Sequence, residues 1–185
     1  MAIMKRITIA GNSGAGKSTF AEQLGVYSKI PVYHVDLIQF RPGWQKTPEA
    51  TFMLVHNAWL TQPTWIIEGV GNWKPLKQRF EAADTIIYFD FPVEYCLQKA
   101  QERLEQDKIS PNPFVPENSP YEAKADKLEE VISFFQKEWR PKILALMENL
   151  REGRSLFVFT QPEDLENFLL ENFLTEPPMQ EITIS

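Results

Sequence analysis

The octapeptide Gly11-Asn12-Ser13-Gly14-Ala15-Gly16-Lys17-Ser18 decides the fold of this 185-residue chain. It fits the phosphate-loop pattern G-x-x-x-x-G-K-[ST], in which glycines let the backbone curl around an anion so that successive N–H groups point at it. In this pattern Lys17 reaches the β- and γ-phosphates of a nucleotide, and the Ser18 hydroxyl binds Mg²⁺. The octapeptide therefore predicts a nucleotide-binding loop, with Gly11 to Thr19 around the phosphates.

The sequence on either side has the periodicities that such a loop needs. Ile7-Thr8-Ile9-Ala10 is an apolar run typical of a buried strand, and the residues that follow the loop place Phe20 and Leu24 on one face of a helix. A plain glycine turn does not require a strand before it and a helix after it. This setting favours a site for ATP with Mg²⁺.

Length and composition predict one domain over residues 1–185. The chain is 43% hydrophobic and 24% charged, which is ordinary for a globular protein with a full core. Its 19 basic and 25 acidic residues leave a net charge of −6. This balance argues against a broad surface for nucleic acid or anionic membrane. The phosphate loop instead indicates a nucleotide, together with a small-molecule acceptor, as the expected partners.

Cysteine usage and hydropathy bear on the cellular compartment. Cys96 is the only cysteine, so no internal disulfide forms, and its apolar spacing with Val93, Leu97 and Ala100 predicts a core position rather than a nucleophile. No apolar run approaches the length that crosses a bilayer, and Met1 to Ala10 does not resemble a secretory signal. These features predict a cytoplasmic protein.

Strand-like and helix-like segments alternate, which predicts parallel strands joined by crossover helices. The predicted strands cover residues 3–10, 31–36, 64–68, 84–90 and 155–160, and the predicted helices cover 17–28, 48–61, 74–82, 93–106 and 121–150. The fold class is therefore α/β, with a five-stranded parallel sheet between two layers of helices. Pro141 interrupts the last helix near Arg140, which leaves one kinked helix or two helices open.

Two segments lack any periodicity. Residues 107–120 contain four prolines and form a surface loop, either a lid over a phosphate-transfer site or an inert connector. Residues 175–185 form a predicted tail, in which Ile182-Thr183-Ile184 could add an edge strand or contact a partner.

Two acids follow predicted strands, at the sheet edge where ligands gather. Asp36 ends the second strand, where it could accept a proton from an attacking hydroxyl or hold a metal-bound water; the alternative is a helix or turn cap. Glu68 ends the third strand, and an acid buried there needs a cation nearby. We predict both as catalytic, with Glu68 and Ser18 at Mg²⁺. His34 could line the site or complete a sheet face.

Aromatic rings and an arginine follow these acids. Arg41 and Trp44 lie in Phe40-Arg41-Pro42-Gly43-Trp44, where stacking and anion pairing would make an acceptor-binding wall, or where the same residues form a packed turn. Trp73 follows a glycine-rich stretch that allows a close ligand approach, although a simple loop explains it as well. Both tryptophans and Arg41 are candidate substrate contacts.

Three arginines on predicted helices are further candidates. Arg79 could bind the acceptor and Arg103 could cover ATP, but each could instead be a member of a surface ion pair. Arg103 is favoured because its helix leads into the proline-rich loop. Arg140 lies beside the helix break, where it could swing over the γ-phosphate as a catalytic arginine supplied in cis.

Four pieces of the sequence resemble adenylate-kinase-type P-loop proteins. These are the loop Gly11–Thr19, Asp36 with Arg41-Pro42-Gly43-Trp44, Trp65-Ile66-Ile67-Glu68-Gly69, and the run from Ala83 to Pro92. Within that group the chain is most similar to small proteins labelled DNA topology modulation proteins or adenylate-kinase-related kinases. The resemblance covers roughly the first 105 residues.

The resemblance implies a sheet with strand order 2-3-1-4-5, MgATP in the phosphate loop, and transfer of the γ-phosphoryl group to a small acceptor. Asp36 matches the acidic position that meets the acceptor in related small-molecule kinases. Glu68 stands where the family usually has Asp, and Val70-Gly71 is an insertion. The predicted lid carries only Lys108 where adenylate-kinase lids carry several arginines, which disfavours a nucleoside monophosphate acceptor.

Two functional hypotheses follow. The first is an ATP-dependent phosphotransferase for a small hydroxylated or phosphorylated metabolite, in which Lys17 stabilises the transferring charge and Asp36 activates the acceptor. The second is a nucleotide-binding regulator whose slow hydrolysis switches partner binding. The sequence identifies neither the acceptor, a preference for ATP over GTP, nor the oligomeric state.

Overall fold

The protein forms a parallel β-sheet with helices packed on both faces. Its structure, a computed structural model, describes residues 4–174. The predicted tail of residues 175–185 and residue 3 of the first predicted strand lie outside the described residues. The strands are β1 (Arg6–Gly11), β2 (Val32–His34), β3 (Phe40–Arg41), β4 (Gln45–Lys46), β5 (Trp65–Glu68), β6 (Thr85–Phe89) and β7 (Ser155–Phe159).

Helices connect these strands. They are α1 (Lys17–Ser28), α2 (Val35–Gln39), α3 (Glu49–Leu60), α4 (Trp73–Ala82), α5 (Val93–Ile109), α6 (Leu128–Phe134), α7 (Arg140–Asn149) and α8 (Glu163–Leu169). Short 3-10 helices cover Pro42–Trp44 and Tyr121–Lys127, and short π-helices cover Phe135–Trp139 and Leu170–Leu174. No helix within residues 4–174 combines the length and the apolar character that crossing a membrane requires.

Five strands form the main sheet in the order β2-β5-β1-β6-β7, and all of their pairings are parallel. The strands β3 and β4 form a separate antiparallel hairpin. The labels differ from the predicted order 2-3-1-4-5 because this hairpin was not predicted. When only the strands of the main sheet are numbered along the chain, their order across the sheet is 2-3-1-4-5, as predicted. The phosphate loop thus leaves the carboxyl end of the central strand.

The central strands are buried on both faces because helices cover each side of the sheet. Every side chain of β5 and β6 is buried. One hydrophobic cluster joins the sheet to α1, α5 and α8 and contains Phe20, Cys96 and Phe168, and a second cluster joins it to α3, α4 and α7 through residues such as Phe80 and Ile143. The predicted core position of Cys96 is confirmed.

Gly14 shows why the phosphate loop needs glycine. Its φ is +81°, and a Cβ atom built on it would overlap the carbonyl oxygen of Cys96 in α5. Gly153 has a similar φ of +73°, but a Cβ there would meet no atom within 4 Å. Glycine at position 14 therefore serves two needs, a left-handed backbone and close packing against α5.

We expect Gly14→Ala to lower the free energy of unfolding by about 1–3 kcal/mol more than Gly153→Ala, the range typical of overpacking a well-filled site. Both variants place alanine in the left-handed region, so their difference isolates the overlap with Cys96. Urea denaturation monitored by circular dichroism measures both. An equal loss in the two variants would show that α5 yields to the added methyl group.

The structure corrects three predicted boundaries. The second strand ends at His34, so Asp36 lies in the first turn of α2 and not on the strand. Helix α5 continues to Ile109, which shortens the irregular part of the proline-rich segment to residues 110–120. The predicted helix 121–150 is divided: a π-helix separates α6 from α7, and Pro141 is the second residue of α7.

Candidate active site

Lys17 begins α1 and folds back over the phosphate loop. Its Nζ atom donates a hydrogen bond to the carbonyl of Asn12 at 2.8 Å. The Asn12 side chain fixes the loop in turn, because its amide nitrogen donates to the carbonyl of Ile132 and its oxygen accepts from the N–H of Ser13. The loop is thus tied to α6 as well as to β1 and α1.

The loop opens onto a cleft of about 570 Å³, a size typical of small-molecule sites. Gly16 has a φ of +84°, and a Cβ atom there would meet no protein atom within 4 Å, so the backbone at this point faces open space. The other walls are the end of α5 and residues 110–114 of the proline-rich segment. This cradle of exposed backbone beside Lys17 fits the phosphates of a nucleotide.

Ser18 and Glu68 lie together beneath the loop. The Ser18 hydroxyl donates to Oε1 of Glu68 at 3.0 Å, and Glu68 is only 4% exposed. Residues 4–174 contain no group of three or more His, Cys, Asp or Glu side chains that could hold a metal ion. A Mg²⁺ ion that keeps several waters and binds phosphate oxygens does not need such a cage, and a hydroxyl with one nearby carboxylate fits it.

His34 holds Glu68 in place. Its Nδ1 lies 2.7 Å from Oε1 of Glu68, and its Nε2 lies 2.7 Å from Oε1 of Glu22 in α1. Burial alone would lower the pKa of His34, but the hydrogen bonds and charges of the two glutamates outweigh it and raise that pKa. The sequence left the role of His34 open; its position two residues before Asp36 at a strand end was the signal.

The proline-rich segment reaches this histidine. The ring of Phe114 stacks on the imidazole of His34, with centroids 4.6 Å apart and an interplanar angle of 23°. The carboxylate of Asp107 accepts from the N–H groups of Asn112 and Tyr121 and so closes the base of the segment. Phe114 therefore packs the proline-rich segment on His34, the residue that contacts Glu68 and Glu22.

Asp36 belongs to the same electrostatic cluster as the loop lysine. Desolvation and the charge of Glu68 raise the pKa of Asp36, while the positive charges of Lys17, Lys124 and Arg103 act in the opposite direction. Desolvation lowers the pKa of Lys17, and Glu68 and Asp36 oppose that shift. Asp36 and Glu68, from neighbouring elements, thus both act on Lys17.

Arg103 lies next to the loop. Its guanidinium carbon is 3.9 Å from the ring centroid of Tyr121, and Nη2 donates to the Ser13 hydroxyl at 3.3 Å. Within residues 4–174 it forms no salt bridge, so the alternative of a surface ion pair is wrong. This position is consistent with a contact to the nucleotide.

Arg79 differs from its predicted place. It is fully buried, and Nη2 donates to the carbonyls of Gly69 and Val70 at 2.7 and 2.9 Å. Burial lowers its pKa to about 9, against the raising effect of Glu68. Both predicted roles, a surface ion pair and an acceptor contact, need exposed surface that Arg79 lacks. Its observed contacts fix the backbone directly after Glu68.

Arg140 and Trp73 have their contacts with residues outside the phosphate loop. Arg140 forms a two-pronged ion pair with Asp90, with Nε to Oδ1 at 2.6 Å and Nη2 to Oδ2 at 2.8 Å. To reach a γ-phosphate it must leave Asp90. Trp73 begins α4 and packs edge-to-face on Trp139, with ring centroids 5.8 Å apart, so it joins α4 to the π-helix before α7.

Trp44 turns the β3–β4 hairpin toward the end of the proline-rich segment. Its backbone N–H donates to the Ser119 hydroxyl, and its indole N–H donates to the carbonyl of Pro120 at 2.8 Å. Arg41, in the same hairpin, is exposed. Trp44 is therefore part of a packed turn, as one of the two predictions had it.

Lys124 was not predicted as a site residue, and the Tyr121–Lys127 turn places it against this hairpin. Its Nζ lies 3.2 Å from the ring centroid of Trp44 and 4.0 Å from that of Phe40. Burial lowers the pKa of Lys124 to about 8; Asp36 acts to raise it and Arg103 to lower it. The sequence carried no signal for this contact, because Lys124 lay inside a predicted helix eighty residues from Trp44.

The fold is shared with solved kinase structures. A shikimate kinase from Acinetobacter baumannii in complex with shikimate matches with a TM-score of 0.54 and 19% identity, over 91% of this chain and 92% of that chain. A shikimate kinase from Bacteroides thetaiotaomicron matches with a TM-score of 0.51 and 12% identity, over 91% and 98%. A deoxyadenosine kinase from M. mycoides matches with a TM-score of 0.50 and 12% identity, over 89% and 96%.

No protein-family model matches the chain, and the search of curated proteins gave no match. At identities of 19% and below, the matches to solved structures define the fold. This chain shares with them an α/β fold, seen here as a five-stranded parallel sheet with flanking helices.

Proposed function

We propose that this protein is an ATP-dependent phosphotransferase that uses MgATP at the phosphate loop and a small molecule as acceptor. One observation carries the proposal: Asp36 lies within electrostatic reach of Lys17, yet on a different element from the Ser18–Glu68 pair. A nucleotide-binding protein without an acceptor needs the loop and a metal site, but it does not need a second partly desolvated carboxylate beside them.

The nucleotide side of the site consists of the loop and Arg103. The amides of Gly11 to Thr19 and the Lys17 ammonium stabilise negative charge on the transferring phosphoryl group. Ser18 and Glu68 hold the hydrated Mg²⁺, which when bound neutralises phosphate charge. Arg103, which donates to Ser13, covers the phosphates from α5, and Arg140 joins them only after release from Asp90.

The acceptor side is built around Asp36. Its carboxylate orients the acceptor hydroxyl and takes its proton, and a pKa raised by burial favours that transfer. Arg41 of the hairpin and Trp73 of α4 are the proposed acceptor contacts on this side, and the packed turn at Trp44 supports the hairpin that carries Arg41. Arg79 supports the backbone after Glu68.

Residues 110–120 form the lid in this proposal, within one domain and in a cytoplasmic protein. Phe114 on His34 and the Trp44 contacts to Ser119 and Pro120 support that role. The likeness to DNA topology modulation proteins is part of the proposal too, on the strength of Pro42-Gly43-Trp44 and Trp65-Ile66-Ile67-Glu68-Gly69.

An acceptor screen tests the proposal. We expect MgATP consumption that depends on one class among nucleosides, nucleotides, sugars, sugar acids and shikimate-like acids, with a phosphorylated product detected by mass spectrometry. Basal hydrolysis without acceptor should be at least about tenfold slower, because no hydroxyl is then held in position beside Asp36. MgATP binding with no acceptor-dependent turnover in the whole panel would overturn the proposal in favour of a nucleotide-dependent regulator.

A further inference from the structure

Lys124 is a desolvated cation without a carboxylate partner. Its ammonium lies over the rings of Trp44 and Phe40, and among residues 4–174 no carboxylate forms an ion pair with it. Lys124 is half-buried, and the aromatic faces offset only part of the hydration that its ammonium loses. A cation held in this way has capacity for an anion.

The aromatic cage around Lys124 is a built structure and not a chance surface contact. Trp44 keeps a left-handed φ of +58°, which is unfavourable for a residue with a side chain. Hydrogen bonds from its backbone to Ser119 and from its indole ring to Pro120 hold it there. The hairpin and the end of the lid together fix the position of the lysine.

The charges around the cage are those of an anion subsite beside the catalytic acid. Arg103 is close enough to lower the pKa of Lys124, and its own Nε atom is buried without a hydrogen-bond partner among residues 4–174. Asp36 is the carboxylate that acts on Lys124, and the same Asp36 is affected by Lys17 of the phosphate loop. Tyr121 links the two cations, because its ring centroid lies 3.9 Å from the Arg103 guanidinium carbon and 5.5 Å from the ring centroid of Trp44, the ring that Lys124 covers. Lys124 and Arg103 therefore belong to one cluster of charges with Asp36, the acid proposed to meet the acceptor.

We propose that Lys124 binds an anionic group of the acceptor, a carboxylate or a phosphate, while Asp36 takes the hydroxyl that is phosphorylated. This inference rests on the proposed function and narrows it: the acceptor is a hydroxylated acid and not a neutral sugar or a nucleoside. The two cations of the lid side, Lys124 and Arg103, replace the several lid arginines that the sequence lacks.

Matched acceptor pairs test this inference through turnover. Within each pair only the charged group differs: gluconate against gluconamide, shikimate against its methyl ester, and glucose 6-phosphate against glucose. We expect turnover of the anionic member of one pair, and which pair responds tells carboxylate from phosphate. A neutral member with the same kcat/KM as its anionic partner would overturn the inference.

Variants of Lys124 locate the effect. Lys124→Met keeps an aliphatic stem in the cage, and Lys124→Arg keeps the charge; Lys127→Met is the control, because Lys127 is exposed in the same turn. For the anionic acceptor we expect Lys124→Met to raise KM by about tenfold or more with kcat changed less than about twofold. Lys124→Arg should stay closer to the wild type, and Lys127→Met should match it. A fall in kcat with unchanged KM would overturn the inference, because Lys124 would then act on the transferring phosphoryl group.

A binding measurement keeps the inference testable without turnover. Protein loaded with Mg²⁺ and a non-hydrolysable ATP analogue has its phosphate loop filled, and calorimetry then follows inorganic phosphate or malonate as the second ligand. We expect the wild type to bind one of these anions and Lys124→Met to bind it at least about tenfold more weakly. If the nucleotide analogue binds but neither anion does, or if both proteins bind the anion equally, this inference fails while the nucleotide site stands. Failure to bind the analogue contradicts the proposed function itself.

Discussion

Lys17→Ala should reduce phosphoryl transfer by roughly a thousandfold or more, the scale of removing one essential donor to a developing charge. Lys17 is the cation of the phosphate loop, and its Nζ atom already lies 2.8 Å from the loop carbonyl of Asn12. Its loss removes the positive charge that faces the β- and γ-phosphates, so MgATP binding should weaken as well. Steady-state kinetics and calorimetry with MgATP measure the two effects.

Lys99→Ala is the matched control for this variant. Lys99 lines the same cleft from α5, but its ammonium forms an ion pair with Glu102 at 2.7 Å, whereas that of Lys17 binds a loop carbonyl. We expect its activity and its MgATP affinity to stay within about threefold of the wild type, the scale of an exposed charge. Activity of Lys17→Ala equal to that of Lys99→Ala would contradict the assignment of the loop.

The thermal stability of Lys17→Ala separates a lost contact from a lost fold. Desolvation lowers the pKa of Lys17, so the folded protein disfavours its charged form relative to the unfolded chain. Removing the side chain removes that penalty. The melting temperature should therefore be equal to or higher than that of the wild type, and inactivity with a lower melting temperature would point to misfolding.

The parts of the fold that sequence predicted are those with local signals. The strand, loop and helix from Arg6 to Ser28 follow from apolar spacing and from glycine, and β5 and β6 follow from continuous apolar runs that only a strand buried on both faces needs. The short helix α2 was missed because Val35-Asp36-Leu37-Ile38 has the β-branched and apolar character of a strand. Tertiary packing, and not local propensity, therefore determines that Val35–Gln39 form a helix.

The candidate site was predicted where one motif or one strand end defines a residue, and missed where a contact joins distant segments. Ser18 and Glu68 each had a local reason to be named, and they meet at 3.0 Å. His34 bridges residues on two other elements, and Lys124 meets Trp44 across eighty positions. Periodicity places a residue on a face, but it does not specify which distant side chain packs on that face.

Arg79 was predicted at the surface, but it is buried, because its position also depends on a distant segment. A helical arginine among charged neighbours is typical of a surface, and Glu81 and Asp84 nearby favoured that interpretation. The structure buries it because the loop after Glu68 turns two carbonyls inward, and a guanidinium satisfies both. The need for this arginine lies in the backbone of another segment, which no pattern around position 79 records.

The division of labour between the two acids gives the second large effect. We expect Asp36→Asn to leave MgATP affinity within about threefold of the wild type while it lowers acceptor phosphorylation by roughly a hundredfold or more, the scale of a lost general base. Asparagine keeps the size of the side chain and its place in α2 but accepts no proton. Glu68→Gln is the matched variant, because Glu68 accepts a hydrogen bond from the Ser18 hydroxyl and contacts the imidazole of His34. It should impair the Mg²⁺-dependent steps whatever acceptor is offered.

Comparing the two variants is more informative than measuring either one alone. Asp36 and Glu68 lie close enough for the charge of Glu68 to raise the pKa of Asp36, so the two acids share one electrostatic environment. Replacing either acid by its amide removes one negative charge from the cluster around Lys17, so both variants change the general electrostatics alike. A difference between them must come from position. Titration with Mg²⁺ at saturating acceptor measures the metal side of the site. Titration with acceptor at saturating MgATP measures the acceptor side. If Asp36→Asn lost MgATP binding and kept its acceptor affinity, Asp36 would be a metal-site residue, and the acceptor would have to bind elsewhere in the cleft.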